Sequence, residues 1–218
     1  MDEDTYLEHG LSLFTATGKL DFTPGHRSTA GVRYATFDPE ARILRCFSCH
    51  STGGLSLGPA FDVQPAELGV RCEACHGPGR AHATQQKPIR NPGTMSAAGV
   101  NDLCGGCHRM PAPPGVATDW SEPWNVRHQP VYLAESECFK RSGDKLSCLT
   151  CHDPHAPLEQ ASTVYNAKCA DCHSSAHAQA KTNCVDCHMP KVSPRAPLRF
   201  TNHWIGVYGE GLPLRPAR

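Results

Sequence analysis

The chain repeats one five-residue pattern, Cys-x-x-Cys-His, six times: Cys46-Phe-Ser-Cys49-His50, Cys72-Glu-Ala-Cys75-His76, Cys104-Gly-Gly-Cys107-His108, Cys148-Leu-Thr-Cys151-His152, Cys169-Ala-Asp-Cys172-His173 and Cys184-Val-Asp-Cys187-His188. Each copy is a c-type haem attachment site. Two thiols at that spacing reach the two vinyl groups on one edge of a porphyrin, and the histidine that follows turns under the ring to ligate the iron. One copy can arise by accident; six independent copies cannot. The pattern predicts six haem c groups, bonded through the twelve motif cysteines and ligated proximally by the six motif histidines.

Rival uses of cysteine fit poorly. Twelve of the 13 cysteines lie in the motifs, which leaves only Cys138. A disulfide scaffold has no need of a histidine after each pair, and neither does a zinc ribbon. A thioredoxin-like site would be single and would sit on a βαβ unit, which is not legible here. Cys138 reads as a buried small hydrophobe, a free thiol or an unusual ligand.

Hydrophobic residues make up 39% of the chain, beside 19 Gly and 19 Pro. That is too little apolar mass for an ordinary core, and six porphyrins would supply the rest. Folding is therefore expected to depend on the cofactor, as small metal domains depend on their metal, and the chain without haem is expected to be largely disordered. The expected fold is mostly α with extensive loop, with little or no sheet beyond an N-terminal hairpin.

With 21 basic and 21 acidic residues the formal charge is zero, which favours neither nucleic acid nor an anionic membrane as partner. Ionised propionates on six haems would add about −6 in the ferric state and about −12 in the ferrous state. Fourteen of the basic residues are arginine, the better fork for carboxylates. No apolar run reaches spanning length. Met1-Asp-Glu-Asp lacks a signal-peptide pattern, yet haem attachment of this kind belongs to exported proteins, so the natural precursor is expected to extend upstream.

Successive first cysteines are 26, 32, 44, 21 and 15 residues apart, too irregular for a solenoid. Residues 1–45 read as a haem-free segment packing on a hexahaem domain over 46–218. Val32 to Phe37 alternates and is followed by Asp38-Pro39 and Ile43-Leu44, which predicts a hairpin. Loops are expected over 51–65, 87–94 and 111–114, and short helices over 96–108, 134–139 and 164–177, with Ser96 capping the first. The stretch from Arg109 to Ser147 carries Trp120, Trp124 and Tyr132; it reads as an apolar linker between two groups of three haems, or as aromatics mediating electron flow between them.

Seven histidines lie outside the motifs: His9, His26, His82, His128, His155, His177 and His203. This count bears on mechanism. An iron with two imidazoles is closed and passes electrons, whereas one with an open position can turn over a small molecule. Six candidates for the second ligand are His26, His82, His128, His155, His177 and His203, with His9 and His128 the weaker by context. His82, His155 and His177 follow a proximal histidine too closely to reach the opposite face of the same ring, so each is expected to reach a neighbouring haem. Met95 and Met110 are competitors; Met189 directly follows His188 and cannot reach round its own porphyrin.

At CHGPGRAH (75–82), CLTCHDPH (148–155) and CVDCHMP (184–190) the chain resembles bacterial multihaem c-type cytochromes, of the superfamily with tetrahaem electron carriers of ammonia oxidisers, pentahaem nitrite reductases and octahaem hydroxylamine oxidoreductases. The resemblance covers about residues 46–203. It implies stacked bis-histidine haems in a helical, loop-rich shell, with His82, His155, His177 and His203 as distal ligands. No CxxCK motif, the mark of the catalytic haem in the nitrite reductases, occurs here. The part before Cys46 resembles the middle of a longer relative, to whose upstream haem or neighbouring subunit His9 could belong. The reading favoured is an exported electron-transfer cytochrome, periplasmic or extracellular, working with redox partner proteins or neighbouring copies of itself. Its alternatives are an oxidoreductase with one open haem acting on a nitrogen or sulfur compound, and a conducting subunit of a filament or membrane-associated complex.

Overall fold

The computed structural model describes residues 5–24, 26, 30–35, 44–58, 63–109, 115–173, 183–211 and 213–217. These fall in two compact units, Met1–Asn91 and Pro92–Arg218.

In the first unit, strand β1 (Thr5–Glu8) is followed by β2 (Leu11–Phe14), β3 (Lys19–Phe22) and β4 (Val32–Ala35). β2 and β3 form an antiparallel hairpin, while β4 pairs with β1, Glu8 opposite Val32. The alternating segment from Val32 is thus a strand, but its partner lies upstream. Leu44, expected in the return strand, instead opens helix α1 (Leu44–His50); residues 36–43 lie outside the described part. Behind α1 come β5 (Ser51–Leu57) and β6 (Val63–Leu68), an antiparallel pair where a loop was expected. The glycines that suggested loop have a local role: the ladder shifts register between Thr52 and Leu55, and Gly53 there has φ +80°. A side chain is strained at that φ, so glycine permits a bulge inside a strand pair. Phe47 of α1 and Val63 are buried together, with Leu44 and Leu55 against them. Helices α2 (Cys72–His76) and α3 (Arg80–Gln85) complete the unit.

The second unit begins with α4 (Ala97–His108), capped as expected by the Ser96 hydroxyl, which accepts from Gly99 N at 3.1 Å. Then follow α5 (Gln129–Ala134), α6 (Glu137–Ser142), α7 (Cys148–Cys151), α8 (Ser162–Ala170), α9 (Cys184–His188) and a short antiparallel pair, β7 (Lys191–Val192) with β8 (Phe200–Thr201). The helix expected over 134–139 is broken at the fully buried Ser136, between the end of α5 and the start of α6. That expected over 164–177 starts at Ser162 and ends at Ala170; residues 174–182 lie outside the described part. The stretch read as a linker supplies much of the unit's core. Val126, Val131 and Tyr132 are buried with Val192 and Leu214, and Trp120, Phe200 and Trp204 pack against them. Trp120 meets Tyr132 edge-on at 5.1 Å and Trp204 at 4.9 Å between ring centres, distances at which aromatic pairs attract beyond their buried area.

Short helices joined by loops dominate, with four small two-stranded sheets among the described residues, more pairing than the one hairpin expected. Among the described residues, ten apolar side chains are buried, against eleven large ones left exposed, including Leu57, Leu68, Val70 and Leu158. The protein by itself is short of core, as its composition implied. No helix of the described residues is long and apolar enough to cross a membrane.

Candidate haem-binding sites

The motifs share one local geometry. Motifs 1, 2 and 6 lie wholly on α1, α2 and α9, motif 3 forms the last turn of α4, and motif 4 is α7 with His152 as its C-cap. Motif 5 starts on α8 and continues as a turn in which His173 N donates to Cys169 O at 2.9 Å. A helical turn brings residues three and four apart onto one face, so two thiols and an imidazole are presented together. None of the twelve motif cysteines is in a disulfide, and each is at least partly exposed. Thiols paired by helical spacing, next to a histidine and in a shell with exposed apolar side chains, are the donor set a c-type haem requires. The residues fit that group.

Four histidines are held in one way. His76 Nδ1 donates to Arg90 O at 2.9 Å, His82 to Lys87 O at 2.8 Å, His188 to Gly206 O at 2.8 Å and His203 to Thr201 O at 3.0 Å. A carbonyl can only accept, so each ring donates from Nδ1, the arrangement in which Nε2 is the nitrogen that would ligate a metal. Backbone carbonyls are the usual outer-shell partners of metal-bound imidazoles. Two of the four, His76 and His188, are motif histidines and two, His82 and His203, are distal candidates. Arg90 does more than hold His76: its Nε donates to Cys75 O at 2.6 Å, closing the end of α2.

His203 is the most constrained of the distal candidates. Its ring centre lies 6.2 Å from that of the proximal His152. Burial, opposed by the bond to Thr201 and assisted by His152 and His108, holds its pKa down to about 4, so the imidazole is neutral. His152 is shifted the same way, first by burial and then by His108. The loop bearing His203 is anchored on both sides. Ser136 Oγ donates to His203 O at 3.1 Å and accepts from Ile205 N at 2.8 Å. Asn202, fully buried, donates through Nδ2 to Pro213 O and Leu214 O and accepts from Trp204 N.

The other candidates differ. His26 is buried but points Nε2 at Glu8 Oε1, 3.3 Å away. His155 is 76% exposed, its Nδ1 3.6 Å from Asp153 Oδ1. His128 caps α5 and is lowered in pKa by burial, then by Arg109 and Arg127. His9 is exposed with Nδ1 against the backbone of Leu11. His177 and Met110 lie outside the described residues. Cys138 is half-buried, and burial raises its thiol pKa, with Cys172 adding to the effect.

Motifs also touch one another. The helix that carries motif 3, α4, packs on α7 with motif 4, and α8 packs on α9 with motif 6. In the first unit the buried Thr52 hydroxyl accepts from Arg71 N at 2.8 Å and donates to Gly69 O at 2.7 Å, fixing the start of α2 against β5. Thr52, Ser136 and Asn202 were not singled out from sequence. Apart from Trp204, two residues from Asn202, their side-chain partners lie 11 to 69 residues away, and nothing local marks them.

The family described as "Cytochrome c554 and c-prime" matches residues 23–77, which include the first two motifs. A curated relative, "Multiheme cytochrome MtrA" of Shewanella baltica (strain OS185), is 27% identical over 66% of this chain. The chain spans 45% of that relative's length. No solved structure matches. The repeated motif, the shared helical presentation of its thiols and these two similarities agree on a multihaem c-type cytochrome.

Proposed function

We propose that the chain conducts electrons through six covalently attached c-type haems, most of them closed by two histidines. Haem supplies a reversible one-electron carrier, ferric to ferrous. The protein's part is to fix attachment, hold neutral imidazoles at the irons and limit water. The observation that carries this reading is the His152 and His203 pair. Two imidazoles that each give a nitrogen to one metal at about 2 Å stand with ring centres about 6 Å apart, and 6.2 Å separates these rings. His203 offers Nε2 because Thr201 takes the Nδ1 proton.

His82, held at Nδ1 by Lys87 O, is the next distal ligand by the same criterion. His26, His128, His155 and His177 serve remaining irons in the proposal, His26 and His155 after leaving their carboxylate partners. The reading places the chain outside the cytoplasm, exchanging electrons with redox proteins or with copies of itself. Intact-mass analysis of chain exported by a haem-attaching host tests the count: six haem increments are expected, and fewer would overturn it. Low-spin signals alone in the oxidised protein, unmoved by cyanide or nitrite, are expected for closed irons; a responsive high-spin signal would favour catalysis.

A further inference from the structure

Two asparagines occupy the same place relative to their motifs and do the same thing. Asn101-Asp-Leu-Cys104 and Asn166-Ala-Lys-Cys169 each put asparagine three residues before the first motif cysteine; the other four motifs have Ile43, Gly69, Lys145 and Lys181 there. Asn101, on α4, accepts through Oδ1 from Cys148 N at 3.1 Å, the first residue of α7. Asn166, on α8 and buried, accepts through Oδ1 from Val185 N at 3.0 Å, the second residue of α9. Amides in a helix's first turn have no partner within the helix, and here a side chain from the preceding motif's helix takes one. No side chain of their own N-cap residues does so at Cys148 or Val185. At both ties the two motif helices pack on one another, α4 with α7 and α8 with α9. The buried Nδ2 of Asn101 has no protein partner, so its packing is not explained by a second bond of its own.

We propose that Asn101 and Asn166 are positioning residues that dock motif 3 onto motif 4 and motif 5 onto motif 6, so that each pair of haems is attached on neighbouring helices and electrons cross within pairs. This rests on the reading that the motif cysteines carry haem. It adds an order the spacing of motifs does not give: the 44-residue gap between motifs 3 and 4 is as tightly tied as the 15-residue gap between motifs 5 and 6.

The test uses oxidised holoprotein, with haem count by intact mass and low-temperature EPR for interaction between neighbouring ferric haems. Asn101→Ala is expected to replace one pair's interaction-broadened signal with two separate low-spin signals, and Asn166→Ala to do so for the other pair. Asn101→Asp and Asn166→Asp keep the accepting oxygen and are expected to keep the broadened signals. Ser96→Ala weakens α4 at its cap without touching the tie, and is expected to leave the spectrum unchanged. Alanine variants with all haems and an unaltered spectrum would overturn the proposal, as would a Ser96→Ala spectrum altered as far as that of Asn101→Ala. If an alanine variant loses haem, restoration by aspartate supports the proposal and failure to restore overturns it. Wild-type protein without haem at these motifs would sink the underlying reading instead.

Discussion

The two units meet the same demand with different means. In Met1–Asn91 a β-hairpin separates the motifs and Thr52 ties the start of the second to the strand after the first. In Pro92–Arg218 helix is tied to helix by asparagine, around an aromatic core. Among the described residues, the first unit's buried cluster is Phe47 and Val63, and the second's has Val126, Val131, Tyr132, Val192 and Leu214. A unit that buries less of its own apolar surface must take more of its stability from what binds it, because the entropy cost of ordering each residue is the same in both. The first unit should therefore lean on haem more heavily than the second.

Withholding haem gives the largest effect. Chain made without attachment is expected to be mostly disordered by circular dichroism, with amide exchange slowest around Tyr132 and fast throughout Met1–Asn91. Equal protection in both units would break the comparison. Next, Tyr132→Ala empties the centre of the second core and is expected to cost about 3–5 kcal/mol in denaturant unfolding of the holoprotein. Phe47→Ala is expected to cost less, about 2–3 kcal/mol, since the site is flanked by partly exposed Leu44 and Leu55 and can collapse. Smallest is Thr52→Val, which keeps shape but leaves Arg71 N without its acceptor; about 1–2 kcal/mol is expected, read in the same unfolding series.

Much of the site was legible because attachment chemistry is local. Two thiols and a histidine within five residues need only a turn of helix, and Ser96 as cap is equally local. The pairing of β5 with β6 was not, because a glycine-rich run reads as loop until Gly53 is seen at a bulge. The setting of the distal candidate His203 depends on distant chain, on Ser136 and, through Asn202, on carbonyls at Pro213 and Leu214, which no motif near it announces. The carboxylates beside His26 and His155 were present in the sequence, as Glu8 and Asp153, but only folding brings the first within reach. The asparagine repeat could have been read, since it stands at one offset from two of six motifs.

The account turns on irons closed by paired imidazoles, and His203 is where that is most exposed to test. Low-temperature EPR of oxidised wild-type and His203→Ala holoproteins, each with haem content verified by mass, addresses it directly. The account predicts only low-spin signals in the wild type and one haem converted to a high-spin, cyanide-responsive form in the variant. A variant spectrum identical to the wild type would contradict the pairing of His203 with His152.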